Sequence, residues 1–455
     1  MVSSKSLLYG AICLVLGAAL LLGGCSKDDI GTNDDPTPVN PVDPEEDEKE
    51  QTPPVFPETL SAPASLYINT PNGQPVSSRR EWIRFATIRI TGDDGEVIYE
   101  DDSLKIRGRG NSTWYHYPKK PYYIKLDHQA NFFGTGKSKR WVLSANWMDR
   151  TLLRNEVAFE AARRTSLEWT PSGDFVELYL NGRDLGLYWL GEKINVEGSK
   201  FKADYLFSFD TSDSSELDFT TVYGYRANAK TAGLPTEIKY PDRDDEPYAT
   251  SGFASVLKDA QSFIDKVGKA ICENGKYESL INTDSFCDWY LVHELCGNAE
   301  PNHPKSCFFH SRDGVLYAGP VWDFDWGTFK PGQQSLRISQ SLWFGNYVVG
   351  GKWDGVEYYG LLGRSAFKKR LKERWSALKP QFESLPAYID ARADWIRERE
   401  AANHDMWPCF PNPLTEDGSG MINNDEQLTF QEAVDRLKAA LLERIDVLDR
   451  EINAL

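Results

Sequence analysis

The sequence predicts an α+β fold, with a β-rich N-terminal part and a mixed C-terminal part that ends in helices. Three observations support this class: apolar residues alternate within residues 83–99, a turn signal separates two apolar runs at residues 181–184, and helical periodicity dominates after residue 365. The chain has 455 residues, of which 40% are hydrophobic and 13% aromatic. Such a chain can bury a large core, which excludes disorder, collagen and coiled coil as descriptions of the whole chain.

Strands are predicted mainly in the N-terminal half. Period-two alternation places them at residues 83–90, 97–99, 104–106, 119–126, 175–180 and 185–190. The last two flank Asn181-Gly182-Arg183-Asp184, which is the clearest hairpin signal in the chain. A glycine-bearing loop follows the third strand at residues 107–113. Residues 210–250 are polar and turn-rich, and we expect a long insertion with short strands there.

Helices are predicted mainly in the C-terminal half. Apolar spacing of about 3.6 residues places them at residues 149–162, 254–272, 283–296, 365–400 and 428–453. Asp149 is the predicted N-cap of the first helix, and Gly297 is the predicted C-terminal stop of the third. A hairpin is predicted between the third and fourth helices, from Cys307 to Tyr317.

The N-terminus has the layout of an export signal. Residues 7–22 carry no charge, Lys5 precedes them, and Gly23, Gly24 and Cys25 follow. Sixteen residues are short for a spanning helix, which usually needs about 20. The string Leu22-Gly23-Gly24-Cys25 resembles a bacterial lipobox, which implies a signal peptide over residues 1–24 and a lipid on Cys25. An ordinary secretory peptide and an uncleaved anchor are the alternatives.

The segment after Cys25 holds much of the negative charge. Residues 26–58 carry eleven acidic residues against two lysines, a net charge of −9 out of −17. With eight prolines within residues 26–63, this composition predicts a disordered tether over residues 25–63, before a folded domain at residues 64–455. Residues 26–29 resemble the export tag of Bacteroidetes-type surface lipoproteins, which implies an outer-membrane lipoprotein exposed at the cell surface and attached to the membrane through Cys25.

Charge and cysteine content exclude two further classes. The chain is acidic and lacks a long Lys/Arg block, so we expect no nucleic-acid partner. The folded domain has five cysteines and no C-x-x-C pair, so zinc is not expected. One or two disulfides are compatible with export, and their pairing stays open.

The segment Asp323-Phe324-Asp325 is the strongest chemical signal. It follows a helix, a loop with the carboxylate Glu300, and a short hairpin, which is the order in which protein kinases present a catalytic loop and a metal-binding aspartate. In an extended segment, both aspartates would face one side. Divalent ions prefer such hard oxygen ligands. The alternatives are a turn with solvated acids and a structural calcium site.

An ordered series of motifs resembles the spore-coat CotH kinase family, an atypical kinase-like group, over about residues 80–390. The matching segments are Arg109-Gly110-Asn111-Ser112-Thr113, Lys119-Lys120-Pro121-Tyr122, Leu153-Arg154-Asn155, Val176-Glu177-Leu178-Tyr179-Leu180-Asn181-Gly182, Gly186-Leu187-Tyr188, Glu192-Lys193-Ile194, Ile238-Lys239-Tyr240-Pro241, Glu294-Leu295-Cys296-Gly297-Asn298 and Pro320-Val321-Trp322-Asp323-Phe324-Asp325. The resemblance implies an atypical kinase-like fold, ATP with Mg²⁺ or Mn²⁺ as cofactors, and transfer to a protein Ser/Thr hydroxyl.

The resemblance assigns roles on the C-terminal side of the site. Asp323 and Asp325 are the metal and phosphate ligands, with Asp323 catalytic as well. Glu300 takes the place of the acid in the family's Asn-x-Asp pattern and is the catalytic base, and Asn298 is the preceding Asn of the nucleotide site. Glutamate adds one methylene there, which is a departure from the pattern. Ser306 replaces an Asn that is frequent in the family, a second departure.

The resemblance also assigns residues upstream. Lys120 and Lys125 lie on opposite faces of the strand predicted at residues 119–126, so only one points inward. The family pattern favours Lys120 as the phosphate-binding cation, with Glu192 as its orienting acid. Arg109 in the glycine-bearing loop and Arg154 complete the expected cofactor-binding set. Surface exposure is the alternative for the lysines and for Arg154.

Two function classes follow. The first is an exported CotH-like kinase, active or degenerate. The alternative is a non-catalytic surface lipoprotein that binds glycan or protein, with a structural Ca²⁺ site or no metal. Its supporting feature is the aromatic content, which could stack on sugar rings: Trp114-Tyr115-His116-Tyr117, Trp343-Phe344 and Tyr358-Tyr359.

Overall fold

The computed structural model describes residues 60, 62–133, 137–196, 201–210, 217–227, 231–243, 247–338, 342–345, 360–408, 423, 425 and 427–455. The predicted signal peptide, Cys25 and most of the predicted tether lie outside these residues, as do Cys409 and the Tyr358-Tyr359 pair. Among the helices of the described part of the chain, none is long and apolar enough to cross a membrane.

Seven strands close the N-terminal sheet into a barrel in the order β1-β2-β3-β4-β5-β7-β6. Neighbours pair antiparallel except β1 and β6, which run parallel. Alternate residues such as Leu66, Ile88 and Ile124 are fully buried inside, as a closed barrel with one apolar face requires. The strands are β1 (Ala64–Asn69), β2 (Ile83–Thr91), β3 (Val97–Gly108), β4 (Tyr122–Ala130), β5 (Ser138–Ser144), β6 (Gly173–Leu180) and β7 (Arg183–Glu192).

The strand predicted at residues 119–126 begins only at Tyr122. Pro121 has no N–H to donate, which disfavours a ladder position there. Lys119 and Lys120 therefore precede the strand, and the expectation that strand alternation would orient Lys120 is wrong.

A second sheet of five strands has the order β12-β11-β8-β10-β9. Its strands are β8 (Tyr205–Phe209), β9 (Phe219–Ala227), β10 (Thr231–Tyr240), β11 (Cys307–Arg312) and β12 (Val315–Ala318). Residues 210–250 are thus not an insertion with short strands, because β10 lies between β8 and β9. The buried side chains of Leu234 and Ile238 anchor β10 in the core. The predicted hairpin after Cys307 is confirmed by the pairing of β11 with β12.

The described residues form the helices α1 (Ser112–Tyr115), α2 (Arg154–Arg163), α3 (Tyr248–Ser251), α4 (Ala254–Cys272), α5 (Thr283–Leu295), α6 (Ser365–Glu383), α7 (Leu385–Met406) and α8 (Phe430–Ala454). Eleven residues of α5 are buried, and α5 contacts α2, α6, α8 and β12. It is therefore the central helix of the core, and it leads directly into the loop that carries Glu300.

Two helix predictions need correction. The helix predicted at residues 365–400 is two helices that break at Ser384, because Pro386 has no N–H to continue the ladder. The helix predicted from Asp149 begins at Arg154 instead. The Asp149 carboxylate is used in the preceding turn, where it accepts from the N–H of Thr151 at 2.9 Å and of Arg154 at 2.8 Å.

The cysteines of the described residues form no disulfide. Cys272, Cys287, Cys296 and Cys307 are all free and buried. Burial raises the pKa of each of these thiols, so they are unreactive core residues.

Candidate active site

A cavity of about 320 Å³ opens where the barrel meets the second half of the fold. The barrel side contributes Arg109, which follows β3, and Ser144, which ends β5. The other half contributes Glu300, Asp323 and Asp325. Residues separated by more than 200 positions in the sequence therefore share one cavity.

Glu300 begins a short 3₁₀ helix, Glu300–Asn302, just after α5. The Asn298 side-chain oxygen accepts from the Glu300 N–H at 3.0 Å, and its amide nitrogen contacts His293 Nδ1 at 3.2 Å. Burial lowers the pKa of His293 to about 3, so the ring is neutral and Nδ1 accepts. Asn298 is buried and does not line the cavity; it fixes the loop that presents Glu300.

Glu300 is a carboxyl group in an unusual environment. It is 8% exposed. Burial, followed by repulsion from Asp323, raises its pKa to about 9. Lys305 opposes the rise, whereas Asp325 and Asp210 add to it. Perturbation by burial and like charges in a cavity is typical of functional carboxyl groups.

The Asp323-Phe324-Asp325 segment does not have the extended backbone that we expected. Asp323 has a φ of +69°, and Ser306 beside it has a φ of +49°. The Ser306 hydroxyl donates to Asp323 Oδ2 at 3.1 Å. Left-handed backbone at non-glycine residues costs free energy and is concentrated at functional sites. Both carboxylates nevertheless line the cavity, because this turn brings them to the same side.

Two distant elements hold this turn in place. The Phe324 N–H donates to the Asn155 side chain of α2 at 2.6 Å. The Asn423 amide donates to the carbonyls of Asp325 and Met148 at 3.0 Å each, and its oxygen accepts from the Gly327 N–H at 3.0 Å. Asn423 is 1% exposed, and its hydrogen bonds to Asp325 and Gly327 tie the aspartate loop to the chain's C-terminal region.

Burial, and then repulsion from Asp323, raises the pKa of Asp325 well above its usual range. Two adjacent carboxyl groups in a dry site cannot both be charged without a cation. Within the described part of the chain, no group of three or more His, Cys, Asp or Glu side chains is arranged to hold a metal ion without further ligands. The pair fits Mg²⁺ or Mn²⁺, since Mg²⁺ is typically bound by one or two carboxylates together with phosphate oxygens and water.

Arg109 lies beside the two aspartates without pairing with them. Its guanidinium stacks over the Trp322 ring at 5.4 Å and makes no ion pair or hydrogen bond among the described residues. Burial lowers its pKa, although Asp323 and Asp325 oppose that change. The arginine therefore presents a free positive charge next to the carboxylates.

A second, smaller cavity of about 220 Å³ shares Arg109, Asp210, Ser306 and Trp322 with the first. Lys193, which follows β7, and Lys239 of β10 also line it. Burial, followed by repulsion from Lys239, Arg140, Arg109 and Arg107, lowers the pKa of Lys193 to about 7. The Lys193 ammonium lies 5.3 Å from the Tyr123 ring centroid.

Besides Asn298, the structure places three predicted residues away from both cavities. The Lys120 ammonium donates to the Trp114 carbonyl at 2.6 Å. Glu192 is fully buried and accepts from the Ser172 N–H at 3.3 Å. Arg154 is buried between Asp149 and Asp425, with 2.7 Å to the latter. Arg154 thus has a structural ion pair, and Lys120 and Glu192 do not form the expected pair in this structure.

Four residues of the site were missed by sequence reasoning. Lys193 and Asn155 lie within quoted motifs, next to Glu192 and Arg154, so the signal was present but was assigned to the neighbour. Asp210 follows β8 and accepts from the Ser306 N–H at 3.3 Å. Its sequence signal as a site residue was its place as an acid at the end of an apolar strand. Nothing in the sequence around Asn423 indicates its contacts.

The β-rich half and the helix-rich half of the fold meet at a cavity. Its paired carboxylates, loop acid and cations have the layout that phosphoryl transfer needs. This arrangement defines a kinase-like class of protein. The family described as CotH kinase protein matches residues 106–448, and the chain belongs to that family. The match extends past residue 390 and includes most of α8. No curated protein sequence matches the chain.

Proposed function

We propose that this protein is an active CotH-type kinase that transfers the γ-phosphoryl group of ATP to a Ser/Thr hydroxyl of a protein acceptor. The observation that carries the proposal is the convergence of Glu300, Asp323 and Asp325 with the unpaired Arg109 on one cavity. Family membership supports kinase-type chemistry with ATP and a divalent metal.

Asp323 and Asp325 would hold Mg²⁺ or Mn²⁺, and Arg109 would bind phosphate oxygens. When bound, the metal–ATP complex supplies the transferable phosphoryl group, with ADP as the leaving group. The Arg109 guanidinium forms no ion pair or hydrogen bond among the described residues, so binding a phosphate breaks none of these contacts.

Glu300 would accept the proton of the acceptor hydroxyl as its oxygen bonds to phosphorus. Its raised pKa means that it keeps its own proton at neutral pH while Asp323 and Asp325 are uncompensated. Asp323 and Asp325 would hold a cation whose charge would offset part of their repulsion of Glu300, which would favour the carboxylate form that accepts the proton.

The test is transfer of label from γ-labelled ATP by the full-length chain, with Asp323→Asn and Glu300→Ala beside the wild type. Asp323→Asn is expected to abolish Mg·ATP binding and Glu300→Ala to abolish transfer while nucleotide still binds, both with unchanged circular dichroism. Label transfer that neither substitution alters would overturn the proposed site. Calorimetry that detects no Mg·ATP binding would overturn the kinase function.

The alternative function, non-catalytic glycan binding, has less support. Trp343 and Phe344 are fully buried core residues, and Tyr117 is 1% exposed. In that cluster Tyr115, at 56%, and His116 are exposed, and Trp114 is half-buried. Within the described residues, these aromatics do not form an exposed platform for a sugar.

We also propose that the protein is an outer-membrane lipoprotein at the cell surface, anchored through Cys25. The support is the lipobox-like sequence and the acidic tether. Labelling of cells with a palmitate analogue should tag the wild type and leave Cys25→Ala unlabelled; equal labelling of both would contradict the anchor.

A further inference from the structure

The smaller cavity contains a cation, Lys193, that the proposed reaction does not use. Glu300, Asp323 and Asp325 line the larger cavity and not the smaller one. A metal bound by the two aspartates, and the phosphates attached to it, therefore belong in the larger cavity. Lys193 lines only the smaller cavity and remains without an anionic ligand.

The charges on the walls of the smaller cavity do not balance. Lys239 forms an ion pair with Glu237, and Asp210 accepts from the Ser306 N–H. The Lys193 ammonium makes no hydrogen bond or ion pair within the described part of the chain, and neither does the Arg109 guanidinium. Arg109 has the nearby charges of Asp323 and Asp325, so Lys193 is the cation of this cavity that lacks a counter-ion within hydrogen-bond distance among the described residues.

The charges that act most strongly on Lys193 are positive: Lys239, Arg140, Arg109 and Arg107. The carboxylates that line the same cavity are Asp210 and Glu237, and Glu237 is paired with Lys239. Leaving a desolvated cation unpaired among like charges costs free energy, which a bound anion would recover. The lining of the cavity is otherwise suited to a small group, with Ser208 and Phe308 beside the cations.

We propose that the smaller cavity is an anion subsite, in which Lys193 binds a phosphate or carboxylate group of the acceptor while the acceptor hydroxyl faces Glu300. This inference rests on the proposed kinase function for the identity of the acceptor. Because Arg109, Asp210, Ser306 and Trp322 form the boundary of both cavities, an anion in the smaller one lies next to the reacting groups. The subsite thus selects acceptors with an acidic or phosphorylated residue near the target hydroxyl.

The anion subsite is tested first without nucleotide, with sulfate as the probe because it does not titrate near neutral pH. Calorimetry of the full-length chain at pH 7.5, in buffers of different ionisation enthalpy, should show sulfate binding with proton uptake, since the anion raises the pKa of Lys193. Lys193→Gln should weaken sulfate binding by about tenfold, the effect of losing one ion pair of roughly 1.4 kcal/mol, and should abolish the proton uptake. Lys193→Arg should restore binding without the uptake.

Lys120→Gln is the matched control, because this lysine lies outside both cavities, and it should bind sulfate as the wild type does. No sulfate binding, or equal binding by Lys193→Gln, would overturn the subsite. Melting temperatures of the variants show whether each is folded. If Lys193→Gln does not fold, Lys193→Arg still tests the subsite, because it keeps the charge and should bind sulfate without proton uptake.

Saturating Mg²⁺ with a non-hydrolysable ATP analogue then separates the acceptor from the nucleotide. Sulfate should still bind in its presence; displacement would assign the smaller cavity to the nucleotide and overturn the proposal. If the analogue does not bind while sulfate does, the kinase function fails and the anion subsite stands.

Acceptor peptides distinguish the two sources of the anion. Serine peptides with a neighbouring phosphoserine, with neighbouring Asp/Glu, or with neutral neighbours are compared by KM. For the anionic peptides that use the subsite, Lys193→Gln should raise KM about tenfold. The KM of the neutral peptides should not change. A preference for neutral peptides would overturn the acceptor assignment.

Discussion

At the scale of single residues, the glutamate at position 300 is the main departure from the family's pattern. Its backbone is fixed by Asn298, and its carboxyl group is surrounded by Asp323, Asp325 and Lys305. The longer side chain therefore reaches the same cluster from a loop whose position is set by hydrogen bonds. Proton transfer depends on the position of the carboxylate group, whether aspartate or glutamate carries it.

Shortening that side chain is expected to slow the reaction. Glu300→Asp withdraws the carboxylate by about one methylene, a displacement that can reduce kcat by roughly a hundredfold. Mg·ATP affinity should stay unchanged, because the metal ligands are untouched. Steady-state kinetics with calorimetric binding separates the two effects. Faster turnover by Glu300→Asp would show that the site retains the geometry of an aspartate.

His293 gives the protein a defined acid sensitivity. The ring is buried against Trp289 and Phe324, and its Nε2 has no hydrogen-bond partner among the described residues. Its pKa falls to about 3 in the folded protein, below the ordinary value of about 6.5. The unfolded chain therefore binds the extra proton between these values, so stability is complete above pH 6.5 and is lost as pH falls.

His293→Gln should remove this contribution. Between pH 7 and pH 5, protonation of the unfolded state costs the wild type about 2 kcal/mol of stability through this group. The glutamine variant should lose that much less over the same interval, although its stability at pH 7 is lower. Denaturant unfolding at both pH values measures the difference. An equal loss in both proteins would mean that His293 titrates normally.

At the scale of elements, the aspartate loop is a turn held from both sides. Asn155 of α2 and Asn423 of the C-terminal region bind its backbone. Asp323 and Ser306 keep left-handed conformations that isolated residues avoid. The surrounding hydrogen bonds, rather than local sequence preference, set the direction of the two carboxylates.

Asn423→Asp tests whether this clamp positions the metal ligands. Aspartate keeps the acceptor for the Gly327 N–H but cannot donate to the carbonyls of Asp325 and Met148. Each buried carbonyl left unpaired costs about 1–3 kcal/mol. We expect a higher Mg²⁺ concentration for half-maximal activity, by about tenfold, together with a lower melting temperature.

Asn403→Asp provides the control. Asn403 is also buried, but its side chain only accepts, from the Leu187 N–H at 3.1 Å and from Lys119. Aspartate can make the same contacts, so the Mg²⁺ dependence should not change. A lower melting temperature in Asn423→Asp without any change in Mg²⁺ dependence would show a purely structural role.

At the scale of the whole molecule, a ligand in the larger cavity contacts both the barrel and the helix-rich half. Ligands that bind only the folded state stabilise it by an amount that grows with the logarithm of ligand concentration relative to Kd, and this amount is about 2.7 kcal/mol at 100 times Kd. Mg·ATP should therefore raise the melting temperature by a few degrees. Ca²⁺ alone should raise it less, because the described residues offer only the aspartate pair.

Melting scans with Ca²⁺, Mg²⁺ and Mg·ATP separately, each also with Asp323→Asn, check this expectation. Stabilisation by Ca²⁺ alone, equal to that by Mg·ATP, would favour a structural calcium site instead. Stabilisation of Asp323→Asn by Mg·ATP as large as that of the wild type would place the nucleotide elsewhere.

The sequence by itself determined the features that local chemistry controls. Alternation predicted the barrel hairpin at residues 175–190, helical spacing predicted α4 and α5, and the ordered motifs identified the family. The acids Glu300, Asp323 and Asp325 were recognisable because their spacing after α5 and β12 is local. These signals depend on short-range periodicity and residue type, both of which are present in the sequence itself.

Only the tertiary structure decided which side chains meet. Pro121 ended the strand that would have oriented Lys120, closure of the barrel brought Arg109 to the carboxylates, and β7 placed Lys193 rather than Glu192 at a cavity. Residues 210–250 formed two strands of the second sheet because Leu234 and Ile238 are buried there. Asn423 joined the site across about a hundred residues. Long-range packing leaves no periodic trace in the sequence, so contacts of this kind follow from the fold alone.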